Sequence, residues 1–211
     1  MDRRAVVGRL LSLAAFIGLT SCAVSDTTQF YTLDQAGAGS AQAKASAGTP
    51  RTGVAGTANV GVGVGPVIMP SYLDRTQIVT RTASDQVDLS MFHRWAEPLD
   101  DGIARILMEQ IGARVPTERI VMFPWRGVEA GAIQYQVVVG VLRFDGRPGG
   151  SITLDTRWRI LGKNGEELAL RRSTLIETAG GPGYEPMVAA MSRAVVILGQ
   201  EIAAEIRALP R

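Results

Sequence analysis

Residues able to carry out chemistry are scarce in this sequence. Its 211 residues include one cysteine, Cys22, and one histidine, His93. A single thiol cannot form an internal disulfide, and one cysteine with one histidine cannot build a Cys/His zinc site. The sequence also lacks Gly-x-Ser-x-Gly, a Walker phosphate loop and His-Glu-x-x-His. We therefore expect a protein that is not an enzyme and that holds no metal or cofactor.

The sequence also has little net charge. Its formal charge is +2 at pH 7, and the first nine residues supply all of it through Arg3, Arg4 and Arg9 against Asp2. Beyond residue 21, basic and acidic side chains are equal in number. A face that binds nucleic acid needs a clustered basic excess. No nucleic-acid partner is therefore predicted.

Two features that could suggest a catalytic or nucleotide site are better explained structurally. A lone imidazole such as His93, placed between Phe92 and Arg94, is more often packed or hydrogen-bonded than a general base. The spaced glycines of 60–65 precede Pro66 and an extended run, whereas a dinucleotide fingerprint must open a helix. Alternate glycines in a strand instead favour close packing of another backbone or a helix.

The first 22 residues have the pattern of an export signal. Arginines precede the apolar run Leu10–Leu19, and small residues lead to Cys22. Ten helical residues span roughly 15 Å, about half of a hydrocarbon core, so this run is too short for a membrane span. The sequence Leu19-Thr20-Ser21-Cys22 resembles a bacterial lipobox, in which the thiol and the new amino terminus are acylated. Ala23, rather than aspartate, follows the cysteine, which by resemblance indicates outer-membrane sorting.

Three segments are predicted. Residues 1–21 are a lipoprotein signal peptide. Residues 22–58 are a lipid-anchored N-terminus with a short strand at Gln29–Leu33 and a flexible Ala/Gly-rich loop from Ala36 to Ala58, which has almost nothing to bury. Residues 59–211 form the folded domain.

The domain alternates strand and helix patterns. Helices are predicted at Pro98–Arg114 and Tyr184–Leu209, because apolar residues recur there at helical spacing. Strands are predicted at Val60–Gly65, Gln77–Thr82, Gln86–Leu89, Ile120–Pro124, Ile133–Phe144, Ile152–Ile160 and Glu167–Glu177. Asn164-Gly165 predicts a tight hairpin between the last two strands. The expected fold class is α/β, a two-layer mixed or antiparallel sheet covered by two helices.

The apolar stripe of the C-terminal helix allows two interpretations. It could cover the sheet, or it could lie on a membrane surface. Its polar face mixes glutamates with arginines and carries no basic surplus for anionic lipid. A core helix is therefore favoured.

Several linked motifs point to one family. They are Gly65-Pro66-Val67-Ile68-Met69-Pro70-Ser71-Tyr72-Leu73-Asp74-Arg75, Ile78-Val79-Thr80-Arg81, Arg94-Trp95-Ala96-Glu97-Pro98-Leu99, and Tyr31-Thr32-Leu33 soon after the lipobox cysteine. In this order they resemble the PqiC/YmbA family of ABC-transport auxiliary lipoproteins. The resemblance covers nearly the whole mature chain apart from the Ala/Gly-rich loop.

The resemblance implies a function in lipid transport. Members are outer-membrane lipoproteins facing the periplasm, and they work with MCE-domain proteins, which bridge the envelope and move phospholipid. We expect a non-enzymatic auxiliary component that supports membrane integrity by docking such a protein. A direct lipid-binding periplasmic carrier, with acyl chains held between sheet and helices, is the alternative. A homo-oligomer is also possible.

The candidate partner-binding residues are Tyr72, Arg75, Arg81, Arg94 and Trp95. Arginine presents a fork of donors that fits carboxylate or phosphate. The same arginines could instead hold the fold through salt bridges to Asp74 or Glu97. Both interpretations remain open from sequence. Cys22 is the predicted lipidation site.

Overall fold

The computed structural model describes residues 27–35, 60–117 and 119–209. The signal peptide, Cys22 and the Ala/Gly-rich loop lie outside these residues. The strands are β1 Gln29–Tyr31, β2 Gly61–Ile68, β3 Gln77–Arg81, β4 Val87–Trp95, β5 Arg119–Met122, β6 Tyr135–Gly146, β7 Ser151–Leu161 and β8 Glu167–Thr178. The helices are α1 Leu99–Arg114, α2 Val128–Ala132 and α3 Tyr184–Ala208.

Strands β6, β7 and β8 form a long antiparallel ladder. Every second residue of β7 from Ile152 to Ile160 is buried on the inner face, whereas Ser151, Arg157 and Arg159 are exposed. The turn between β7 and β8 contains Gly165 with φ +82°. A residue without a Cβ adopts this backbone conformation freely, as the Asn-Gly signal predicts.

The other edge of β6 branches. Its first half pairs with β2 in parallel, and β2 continues to β5. Its far end pairs with β3 at Thr80 opposite Gly146. Strand β3 continues through antiparallel β4 to β1, which lies parallel to β4 with Tyr31 opposite Trp95. The sheet is therefore mixed, and we call β1, β3 and β4 the hairpin branch.

Helices α1 and α3 pack together and cover the inner face. Ile103, Ile106 and Leu107 of α1, and Leu198 and Ile202 of α3, have no exposed surface. Helix α3 is long and apolar enough to cross a membrane by length and composition, but most of its apolar stretch is buried inside the fold. It is the core helix that the sequence favoured.

Close backbone packing explains the glycines of β2. A Cβ built on Gly61 would lie 1.9 Å from the carbonyl oxygen of Ala132. A Cβ on Gly63 would meet the Trp125 ring at 2.9 Å. Both distances are too short for an ordinary contact, so the prediction of close packing at these alternate glycines is confirmed.

The predicted fold class is confirmed, with two local differences. The short helix α2 lies between β5 and β6, in a segment without a periodic apolar pattern. Strand β4 continues past Leu89 as far as Trp95. Its second half pairs with β1, a neighbour about 60 residues away in sequence, and local patterning does not report such pairing.

Candidate functional site

A buried carboxylate organises the junction between the ladder and the hairpin branch. Asp145, near the end of β6, is 0% exposed. Arg81, at the end of β3, donates from Nε to Oδ1 at 2.9 Å and from Nη2 to Oδ2 at 2.8 Å. Arg143 Nε donates to Oδ1 at 2.8 Å. One buried acid therefore ties two arginines together, and we call Arg81, Asp145 and Arg143 the junction cluster.

Tyr72 joins this cluster from the segment before β3. Its hydroxyl donates to Asp145 Oδ2 at 3.4 Å, a long contact. Burial, and next the negative charge of Asp145, raise the pKa of Tyr72 above its usual value. The phenol is therefore a neutral donor at physiological pH.

The electrostatics of Asp145 are set by its partners. Burial raises the pKa of this carboxyl, but hydrogen bonds from Arg81 and Arg143 outweigh burial, so the pKa lies below its ordinary value. The hydrogen bond to Asp145 also raises the pKa of Arg81. Asp145 and Arg81 are therefore both ionised across the physiological range.

The remaining candidate residues lie around the other end of β3. Arg94 is opposite Gln77 in the β3–β4 pair, and the Trp95 amide donates to the Thr76 carbonyl at 2.7 Å. Arg75, one residue earlier, is partly exposed like Arg94. Their Nε atoms are buried and have no hydrogen-bond partner among the described residues. The structure thus separates the candidates into two groups, one at each end of β3.

Trp95 differs from the other candidates. Its side chain is 5% exposed and belongs to the hydrophobic core. Such burial leaves little of the indole for a partner to contact. A surface formed by the candidates therefore consists of Tyr72 and the three arginines.

The ion pairs differ from those that the sequence suggested. Arg81 is paired with Asp145 rather than with Asp74 or Glu97, and Glu97 instead accepts from Arg105 Nη2 at 2.5 Å. Sequence reasoning missed Asp145 because it lies 64 residues from Arg81. One signal was available: an aspartate directly after Phe144 in an apolar strand, which must find a partner if it is buried.

His93 is a packed residue, as its sequence setting indicated. Its ring stacks on Tyr184 with centroids 3.8 Å apart and planes 14° apart. Its Nδ1 is hydrogen-bonded to the Tyr31 hydroxyl at 2.9 Å. These contacts join β4 to β1 and to the start of α3. Elsewhere in the described residues, no group of three or more His, Cys, Asp or Glu is placed to hold a metal ion.

The comparisons with known proteins agree with the architecture. The chain is 26% identical over 144 residues to the intermembrane transport lipoprotein PqiC of Escherichia coli K12, covering 68% of this chain and 73% of that protein. A crystal structure of an uncharacterized protein superposes with a TM-score of 0.66 at 22% identity, covering 85% of this chain and 99% of that one. A structure from Xanthomonas campestris superposes with a TM-score of 0.59 at 14% identity, covering 72% and 89%. These two structures support the fold alone.

A family model matches a larger part of the sequence than the curated relative does. The model describes the ABC-type transport auxiliary lipoprotein component, and it matches residues 31–203. That range begins at the last residue of β1, includes β2 to β8 completely, and ends near the end of α3. The resemblance found in the sequence motifs is confirmed. The chain belongs to the family of ABC-type transport auxiliary lipoprotein components.

Proposed function

We propose that this protein is an outer-membrane lipoprotein that docks an MCE-domain protein in the periplasm and so assists phospholipid transport between the two membranes. The observation that carries the proposal is the family match over residues 31–203. The curated relative is named an intermembrane transport lipoprotein, which also supports a function in transport between membranes. The docking component itself performs no chemistry and supports membrane integrity by holding the transporter in place.

The candidate residues offer a plausible docking chemistry. Arg75 and Arg94 are partly exposed at one end of β3, and their buried Nε atoms have no hydrogen-bond partner among the described residues. Arginine at the rim of an interface steers association with an acidic partner. At the other end of β3, Arg81 is 18% exposed because Asp145 holds it. We therefore assign partner steering to Arg75 and Arg94 first.

The packing between sheet and helices favours docking over lipid carriage. The inner face of the ladder and the facing sides of α1 and α3 are filled by fully buried side chains. A cavity at the rim of this interface, between Val60, Val115 and Ile206, measures about 20 Å³. That is room for about one water molecule and not for an acyl chain. An acyl chain would have to displace core side chains to enter there.

Charge reversal tests the docking proposal. The variant Arg75→Glu/Arg94→Glu of the full-length lipoprotein should capture several-fold less MCE-domain protein in an envelope crosslinking pull-down, because rim charges set the encounter rate. Lys163→Glu, in the exposed β7–β8 turn, is the matched control and should capture normally. Thermal melting of each variant separates lost docking from lost fold.

Two results would decide against docking. If the wild-type protein captures no MCE-domain protein, the proposed partner is wrong. If, in addition, organic solvent extracts a stoichiometric amount of phospholipid from the purified protein, the lipid-carrier function replaces the docking function. If the double variant captures as well as wild type, the docking surface lies away from Arg75 and Arg94.

The proposed membrane attachment rests on Cys22. Cys22→Ser should remove the acylation site and release a folded protein into the periplasm, because two or more acyl chains are needed for durable anchoring. Membrane fractionation measures the outcome. A protein that stays in the membrane pellet would contradict anchoring through Cys22, and recovery of the wild type in the inner-membrane fraction would contradict outer-membrane sorting.

A further inference from the structure

A cleft opens beside the junction cluster, where two hairpin turns meet. The β3–β4 turn contributes Ser84, and the β6–β7 turn contributes Arg147 and Ser151. Arg81 and Arg143 also line the cleft, whose volume is about 380 Å³. This lies at the lower end of the size range of ligand pockets, enough for a small anion with a short attached group.

The charge of this cleft is unusually one-sided. Three arginines line it, and its lining contains no carboxylate. Asp145 lies behind Arg81 and Arg143 and compensates one positive charge. Asp85, which follows Ser84 in the turn, does not belong to the lining. About two positive charges therefore remain for a ligand.

The guanidinium groups are held in place before any ligand arrives. Arg81 Nη1 donates to the Ser84 carbonyl at 2.8 Å, in addition to its contacts with Asp145. Arg147 Nη2 donates to the Thr82 carbonyl at 2.8 Å, which ties the two turns together. Arg143 is held at Nε by Asp145. Ordering these side chains in the free protein lowers the entropic cost of binding.

Donors remain for a ligand after these contacts. A guanidinium group has five N–H donors. Among the described residues, the hydrogen bonds formed by Arg143 use only its Nε, and those of Arg147 use only Nη2. Arg143 is 41% exposed and Arg147 is exposed, so both can reach a ligand from solvent. Their free N–H groups can form the paired contacts that arginine makes with phosphate oxygens.

We propose that this cleft binds a phosphate group, with Arg143 and Arg147 as the ligand contacts and Arg81 as the positioning residue. A phosphate monoester carries close to two negative charges at neutral pH and matches the remaining charge, whereas one aspartate or glutamate side chain brings a single charge. The inference goes beyond the proposed docking function, which depends on Arg75 and Arg94 at the other end of β3.

Calorimetric titration of the full-length protein in non-ionic detergent, at constant ionic strength, tests the site with inorganic phosphate. The variant Arg143→Gln/Arg147→Gln should weaken phosphate binding about tenfold or more, since it removes charge-assisted hydrogen bonds. Arg157→Gln/Lys163→Gln is the matched control: it removes two exposed charges outside the cleft and should leave affinity within about twofold. Arg147→Gln alone keeps the Asp145 ion pairs, so it serves if the double variant fails to fold.

Further titrations identify the source of the phosphate. Glycerol 3-phosphate is a monoester, whereas glycerophosphoglycerol carries the diester of a lipid headgroup. Tighter binding of the monoester and of inorganic phosphate supports a site for a free or terminal phosphate. Tighter binding of the diester supports a headgroup site.

Three results would overturn the proposal. The first is absence of binding by any of these phosphates at millimolar concentration. The second is equal loss of affinity in the Arg157→Gln/Lys163→Gln control. The third is succinate binding as tightly as phosphate, because the cleft would then select charge alone and could accept acidic protein segments.

Discussion

The ladder β6–β7–β8 and the hairpin branch β1–β3–β4 are built by different means. In the ladder, consecutive strands are joined by short turns and pair along nearly their whole length. The branch meets β6 at Thr80 opposite Gly146, and the ion pair between Arg81 and Asp145 lies directly beside that point. The ladder therefore depends on local turns and apolar alternation, whereas the branch is attached through contacts between distant residues, which are polar at Arg81 and Asp145 and apolar where Ile78, Val79 and Trp95 enter the core.

This difference separates the core residues from the candidate recognition residues. The inner face of the ladder is covered by α1 and α3 and is occupied by the core. The candidate recognition residues lie on the branch or beside it: Tyr72 and Arg81 contact Asp145 at one end of β3, and Arg75 and Arg94 lie at the other end. Changes in the core should therefore affect stability, and changes at the junction should affect the placement of the branch as well.

The largest expected effect is in the ladder and its cover. Leu198→Asp places a charge at a fully buried position of α3. No partner for that charge is available in the apolar core, so we expect a loss of about 4 kcal/mol or more in the free energy of unfolding. Urea unfolding measures it.

Ala204→Asp is the control for this substitution. Ala204 is exposed on the same helix, so the same chemical change should cost less than about 1 kcal/mol. A Leu198→Asp protein as stable as wild type would mean that the α3 stripe does not form the core of the protein in solution.

The ladder and the branch also differ in how well the sequence predicts them. Alternation at Ile152, Leu154 and Ile160, together with Asn164-Gly165, correctly placed β7, β8 and their turn, because these signals lie within a few residues of each other. The helical spacing in α3 was equally local. The parallel pairing of β2 with β6 and of β1 with β4 was not predicted, because the sequence of a strand does not indicate which distant strand it pairs with.

The candidate site was predicted in part. The motifs singled out Tyr72 and Arg81, and the structure brings these two together. Their shared partner Asp145 was missed because it lies in a strand whose apolar pattern dominates. Trp95 is among the predicted partner-binding residues because the sequence does not show that the end of β4 turns its side chain into the core.

The next largest effect is expected at the junction. Asp145→Asn removes the charge that two guanidinium groups share. Loss of one partner from a fully buried ion pair costs about 3–5 kcal/mol. Because Arg143 is 41% exposed and remains partly solvated, we expect about 2–3 kcal/mol here. Asp155→Asn, whose partner Arg172 is 57% exposed, is the control and should cost at most about 1 kcal/mol.

Hydrogen exchange locates this effect in the molecule. If the junction cluster holds the branch, Asp145→Asn should speed amide exchange in β3 and β4 more than in β7 and β8. Equal acceleration in both regions would mean that the branch and ladder open as one unit, and the distinction drawn between them would be wrong.

The same residue gives the protein a defined acid sensitivity. The pKa of Asp145 is lowered in the fold, so the unfolded chain binds its proton more tightly. The stabilisation is then fully present above the unfolded pKa of about 4 and is lost as pH falls through the lower folded pKa. The difference in unfolding free energy between wild type and Asp145→Asn should therefore shrink from pH 7 to about pH 3.

The comparison with Asp145→Asn is needed because Asp155 also makes the stability of the protein fall in acid. The hydrogen bond from Arg172 is the main cause that lowers the pKa of Asp155, so acid weakens its contribution too. Subtracting the Asp145→Asn protein removes this shared part. A difference that stays constant with pH would show that the fold does not shift the pKa of Asp145, and a difference that grows as pH falls would show that the carboxyl is protonated in the fold.

The smallest expected effect tests the close packing of β2 beside the ladder. Gly61→Ala puts a methyl group where the Ala132 carbonyl oxygen lies 1.9 Å from the ideal Cβ position, so backbone must move. We expect a loss of about 1–3 kcal/mol in unfolding free energy, as overpacking typically costs.

Gly140→Ala, in β6, is the control because its Cβ would meet the Arg157 carbonyl oxygen at 3.5 Å, an ordinary contact. That variant should be neutral or gain about 0.5 kcal/mol, since alanine reduces the entropy of the unfolded chain. Equal stability of the two variants would mean that the backbone of α2 moves away from the new methyl group without loss of stability. Packing would then not require the glycines of β2.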